Sequence, residues 1–114
     1  MFKPDQLENI FFLDIETASA TATYAELPDR MKPLWEKKAR RYVDKNSDWD
    51  PGEVYVDKAA IHAEFGRVVC ISCGYLRFKE NGPPELRIKS FYGEDEYALL
   101  AGFRERPVKH VGAW

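Results

Sequence analysis

The sequence predicts an α/β domain, and three observations carry that prediction. An apolar run, Ile10-Phe11-Phe12-Leu13, enters the acidic pair Asp14 and Glu16 with little alternation, as a central strand covered on both faces does. Two later runs, residues 68–78 and 86–92, are separated by Glu80-Asn81-Gly82-Pro83-Pro84, a turn sequence, and read as a β-hairpin. Around these strands, apolar residues recur at helical spacing. The expected order is strand, helical segment, strand, strand, helix, with no internal repeat and no low-complexity segment.

The first strand spans residues 9–17, and the small residues of 18–23 follow as a linker. In residues 27–43, Met31, Leu34, Trp35, Tyr42 and Val43, with Ala39 between, fit one helix face, and Pro33 is tolerable only in a first turn. Trp35 and Tyr42, which with Trp49 are the aromatics able to stack on bases, fit that buried face better. Residues 44–52, rich in Asp, Asn, Ser and Pro, read as a loop. Residues 59–65 predict a short helix using Ala60, Ile61 and Phe65, with Gly66 placed to stop it. The stretch 24–65 is thus a helical insertion within a single domain of residues 1–114. Glu94, Asp95 and Glu96 favour a helix start and lead into residues 97–103, where Tyr97, Leu100 and Phe103 would line the buried side. Residues 104–114 have no clear period.

A chain of 114 residues suffices for one core, and a domain of this size buries roughly two-thirds of its unfolded surface. The net charge of −2 excludes the global basic field of a tight, non-catalytic nucleic-acid binder. A local cluster, Lys37-Lys38-Ala39-Arg40-Arg41, reads either as a solvated helix face or as a place for phosphate. The first residues carry no basic stretch leading into an apolar segment, and no apolar run approaches the roughly 18–20 residues that span a bilayer. The expected compartment is the cytoplasm. Cys70 and Cys73 have C-x-x-C spacing, but on a strand residues three apart face opposite ways, so these thiols are expected neither to pair nor to share a metal. His62 and His110 stand outside any ligand-spaced cluster and read as surface residues.

Asp14 and Glu16 carry the chemistry. Residues two apart on a strand project from one face, so both carboxylates look into the same space. Ionised carboxylates in apolar surroundings are costly and repel each other, and a hard divalent cation, Mg²⁺ or Mn²⁺, resolves both problems. The competing reading makes the two acids the solvated end of the strand. Thr17 and the small residues after it leave open space beside them.

Phe12-Leu13-Asp14-Ile15-Glu16-Thr17 is similar to the first exonuclease motif of the DEDD-type 3′–5′ exonuclease superfamily, whose fold is ribonuclease H-like. Phe65-Gly66-Arg67-Val68-Val69-Cys70-Ile71-Ser72 resembles the second strand of those domains. Residues 88–100 resemble their third strand and first helix. The nearest group is the bacterial exonucleases related to the proofreading domain of family B DNA polymerases. The resemblance covers about residues 9–103 and is interrupted by the helical insertion.

The resemblance implies a three-layer ribonuclease H-like fold and two-metal hydrolysis of the phosphodiester at a 3′ end, with ions about 4 Å apart. It implies that Asp14 bridges both ions, that Glu16 binds one and positions water, and that Thr17 contacts the terminal nucleotide through its backbone or hydroxyl. The implied substrate is nucleic acid, single-stranded DNA foremost. The family uses four acids, and only the first two have counterparts here. His110-Val111-Gly112-Ala113-Trp114, where the second motif is expected, contains no acid. The expectation is a domain truncated after the third strand and first core helix, inactive or weakly active. In this fold the first strand is central, between the second strand and a fourth that is expected to be missing, so its open edge is expected to draw a second copy into a homo-oligomer, the alternative being that the C-terminal tail folds back to cover it. The alternative is a non-catalytic module that keeps the fold and binds nucleic acid or protein.

Overall fold

The computed structural model describes residues 3–105. It is a mixed α/β structure with a three-stranded antiparallel sheet and four α-helices. The chain divides into two compact units, Met1–Glu16 with Val68–Trp114, and Thr17–Arg67.

The first unit is built on the sheet. Its described elements are α1 (Pro4–Leu7), β1 (Phe12–Ser19, entering the second unit at Thr17), β2 (Gly66–Arg77, leaving it at Val68), β3 (Glu85–Tyr92) and α4 (Glu96–Glu105). The strand order is β1-β2-β3. The hairpin forms as expected, with a register running from Cys70 opposite Tyr92 to Arg77 opposite Glu85. One face of the hairpin carries Ile71, Cys73 and Tyr75, all buried, and α4 packs along β3 with Leu99 buried and Phe103 edge-on to Phe91. The opposite face carries Ser72, Gly74 and Leu76 against Ser90, Ile88 and Leu86. On β3 the usual alternation is inverted: Arg87 and Lys89 are half-buried, whereas Leu86, Ile88 and Tyr92 are exposed.

The buried side of α4 differs from the expected one. Tyr97 is 84% exposed and Leu100 40%, and the helix presents Leu99 and Phe103 instead. Two polar anchors set this rotation. Asp95 caps the helix by accepting from the Ala98 N–H at 3.1 Å, and Glu96 accepts from the Val68 N–H at 2.6 Å. With Glu96 held toward the sheet, the residues three, six and seven positions later, Leu99, Gly102 and Phe103, share its side. A methyl at Gly102 would already lie 3.3 Å from the Phe91 ring.

The second unit packs Leu27, Trp35, Ala39, Tyr55, Ala59 and Phe65 into one cluster, with Tyr24, Met31, Trp49 and Val54 around it. Its helices are α2 (Lys32–Ala39) and α3 (Pro51–Lys58), with 3₁₀ turns at Tyr24–Glu26, Arg40–Tyr42 and Ala59–Ile61. The predicted helix over residues 27–43 is therefore shorter. Leu27 precedes Pro28 and is extended at φ −59°, ψ 143°, as a residue before proline must be, and Val43 is extended at φ −129°, ψ 151°. Pro33 sits in the first turn of α2, as expected. Trp35 is fully buried; Tyr42, beyond the end of α2, is exposed.

Helix α3 falls partly in the predicted loop and in residues for which no element was expected. Asp50 caps it by accepting from the Gly52 N–H at 2.8 Å, and Pro51 occupies its first turn. The predicted helix over residues 59–65 reduces to a single 3₁₀ turn following α3, and Ile61 is exposed.

Polar groups inside this unit are matched. The Trp35 indole N–H donates to the Pro51 carbonyl at 2.9 Å, and the Tyr55 hydroxyl accepts from the Thr21 N–H at 3.1 Å. The Tyr24 hydroxyl donates to Glu36. That bond first, then burial and the negative charges of Glu36 and Asp50, push the Tyr24 pKa up to about 12. Gly66 closes the unit where chain meets chain: a methyl there would stand 2.7 Å from the Ala60 carbonyl oxygen.

Candidate functional site

Asp14 and Glu16 lie on β1, an outer strand of the described sheet. The pleat places Phe12, Asp14 and Glu16 on one face and Leu13 and Ile15 on the other. Asp14 and Phe12 line a shallow trough of about 450 Å³ whose other walls include Gly74, Leu76, Leu86 and Ile88. An acid thus stands at the margin of an apolar surface supplied by the outward face of the hairpin.

The environment of the pair differs from the expected one. Residues 12–17 are all exposed, including Leu13 and Ile15, so β1 is not a strand covered on both faces. Among the described residues it is also an outer strand, with β2 as its neighbour. Its apolar composition predicts burial, but composition does not specify what covers a strand. Both carboxylates reach water, so the desolvation argument for a counter-ion does not hold here.

The donor set can be tested against a metal. Two carboxylates on one face offer hard oxygen ligands able to hold a single hydrated Mg²⁺ or Mn²⁺ weakly. Among the described residues, no group of three or more His, Cys, Asp or Glu side chains comes together as a metal site. A pair of ions about 4 Å apart needs more carboxylates than that, so the residues described do not fit a two-metal centre.

Thr17, in the second unit, donates its hydroxyl to the Ala60 carbonyl at 2.7 Å, which leaves its hydroxyl oxygen as an acceptor. Cys70 and Cys73 are both free thiols on β2 facing opposite ways: Cys70 Sγ lies 3.7 Å from Ser72 Oγ, and Cys73 Sγ donates to the Lys89 carbonyl at 3.5 Å. Burial pushes the Cys73 thiol pKa up, against the opposing charge of Lys89. His62 is engaged in the second unit, with Nε2 2.6 Å from the Tyr42 hydroxyl and its ring edge-on to Trp35. His110 lies outside the described residues.

The basic cluster divides between two surfaces of the second unit. Arg40 lies over the Trp49 ring at 5.7 Å. Lys37, Lys38 and Arg41 line a hollow of about 270 Å³ with Leu34, Glu64 and Phe65. The ion pair of Lys38 and Glu64 at 2.6 Å within that hollow was not foreseen; twenty-six residues separate the partners, and no local pattern links them.

No helix among the described residues is long and apolar enough to cross a membrane. Compared with protein-family models, with curated proteins and with solved structures, the chain has no significant match.

Proposed function

We propose that the chain is a domain of the DEDD-type 3′–5′ exonuclease kind, ribonuclease H-like in fold, whose chemistry is metal-dependent hydrolysis of the terminal phosphodiester of nucleic acid. The observation that carries this reading is the pair Asp14 and Glu16, two apart on one face of a strand, inside a sequence that resembles the first motif of that family. In this reading the pair holds one Mg²⁺ or Mn²⁺, Thr17 meets the terminal nucleotide, and the substrate is the 3′ end of single-stranded DNA. With two carboxylates, the chain by itself has weak or no hydrolytic activity.

The test is calorimetric titration of Mn²⁺ into the wild type and into an Asp14→Ala, Glu16→Ala variant. Weak binding, of the order of 0.1–1 mM as for loosely built cation sites, is expected in the first and none in the second. Identical traces overturn the site. A 3′-labelled single strand incubated with the protein and Mn²⁺ then measures hydrolysis directly.

A second reading, a non-catalytic module that binds nucleic acid or protein, is favoured by one observation: the described residues bring no third metal-binding side chain to the pair. It predicts binding of the single strand without cleavage.

Both readings leave β1 an outer strand among the described residues, with Leu13 and Ile15 exposed on it. Such an edge pairs with another unless charge or cover prevents it. Association of two copies through β1 is the expected consequence. Sedimentation at tens of micromolar should show a dimer for the wild type and a monomer for Ile15→Lys. A clean wild-type monomer sinks the idea.

A further inference from the structure

Lys37 and Arg41 are four residues apart, on α2 and on the 3₁₀ turn that continues it, and Leu34 precedes Lys37 by three, so the three belong to one stripe. Lys38 is committed to Glu64, whereas neither Lys37 nor Arg41 has an ion-pair partner among the described residues. The hollow they line therefore holds three cations against one carboxylate. Basic residues near a helix C-terminus complement its dipole, which explains a preference for Lys here. The dipole does not explain Leu34, 55% exposed at the mouth of the same hollow.

We propose that this hollow binds the sugar-phosphate backbone of a single nucleic-acid strand, with Arg41 and Lys37 on successive phosphates and Leu34 against a sugar. The proposal rests on the nucleic-acid reading above, and it places a substrate contact on the second unit that the metal pair does not require. At about 270 Å³ the hollow lies just below the range, about 300–1,000 Å³, that takes drug-sized ligands, and it suits a short piece of backbone, a sugar with its two flanking phosphates. The Arg41 guanidinium offers a planar fork for two phosphate oxygens, and Lys37 a point charge beside it. An anionic membrane would need a broad apolar face, and Leu34 alone does not supply one.

The experiment is an anisotropy titration of a labelled single-stranded oligodeoxynucleotide in EDTA, so that hydrolysis and metal binding play no part, repeated across a range of salt. The proteins are the wild type, Lys37→Gln with Arg41→Gln, Lys37→Arg with Arg41→Lys, and Asp14→Ala with Glu16→Ala. The wild type should bind at low salt. The double Gln variant should bind at least tenfold more weakly, and its slope of log K on log salt should be shallower by about 1.4, since each phosphate contact on a single strand contributes about 0.7. The charge-conserving variant should retain binding, which separates lost charge from lost fold. The acid-pair variant should bind at least as well as the wild type, so failure of the metal site and failure of this surface read out separately. Unchanged affinity and slope in the double Gln variant overturn the proposal, as does absence of wild-type binding at low salt. Tighter binding to phosphatidylserine vesicles or to a polyglutamate peptide than to the oligonucleotide overturns it too.

Discussion

Trp35→Ala is expected to destabilise the second unit by about 3–5 kcal/mol, the range for truncating a large buried aromatic. Trp35 is fully buried and meets Tyr55 and Phe65 edge-on at 5.3 and 5.0 Å, so its removal empties the middle of the cluster rather than its margin. It also removes the N–H donated to the Pro51 carbonyl, which ties α2 to the first turn of α3. Domains of this size have only about 5–15 kcal/mol to lose. Thermal melting should therefore shift by well over 10 °C, given roughly 4–8 °C per kcal/mol for small domains. Trp35→Phe should lose distinctly less, because most of the ring volume remains. A cost below about 1 kcal/mol for Trp35→Ala, typical of a surface position, would show that this cluster is not the core of the unit.

Gly66→Ala is expected to cost about 1–3 kcal/mol, the usual range for overpacking a filled site. The new methyl would sit 2.7 Å from the Ala60 carbonyl oxygen and 3.2 Å from the His62 carbonyl oxygen. Both obstacles are backbone, and the Gly66 N–H is itself bonded to the His62 carbonyl at 2.8 Å, so a side-chain rotation cannot relieve the clash. Because no methyl clashes within 4 Å at Gly82, Gly82→Ala is a useful contrast: any cost there comes from its positive φ of 130° alone. Equilibrium urea unfolding of the two variants distinguishes crowding from conformational strain. Equal stability of Gly66→Ala and the wild type would remove the close approach as an explanation for this glycine.

Local chemistry made much of this architecture legible. The β2–β3 hairpin was readable because the Asn81-Gly82-Pro83-Pro84 turn and the runs beside it act within a few residues of one another. The acidic start of α4 was readable for the same reason, and Asp95 does cap it. The opposing directions of Cys70 and Cys73 followed from strand alternation alone. Helix α3 had a local signal as well, Asp50 before Pro51 with Glu53 in the first turn, but only Tyr55 of its eight residues is fully buried, and a helix that buries so little shows no periodic stripe.

The sequence by itself determined which residues alternate, where the chain turns, and that Asp14 and Glu16 share one face of a strand. Tertiary structure decided which side of each element meets protein. The Glu96 bond to the Val68 N–H turned α4 so that Leu99, not Tyr97 or Leu100, is buried. Packing of α4 on β3 left Ile88 and Leu86 outward and Arg87 and Lys89 inward, against the usual sense of alternation. On β1, residues 12–17 are exposed although their composition predicted burial. The physical reason is common to all three. Turns, caps and pleats depend on neighbours in sequence, whereas burial depends on residues brought together from far apart, as Val68 and Glu96 are, and no short window of sequence contains both.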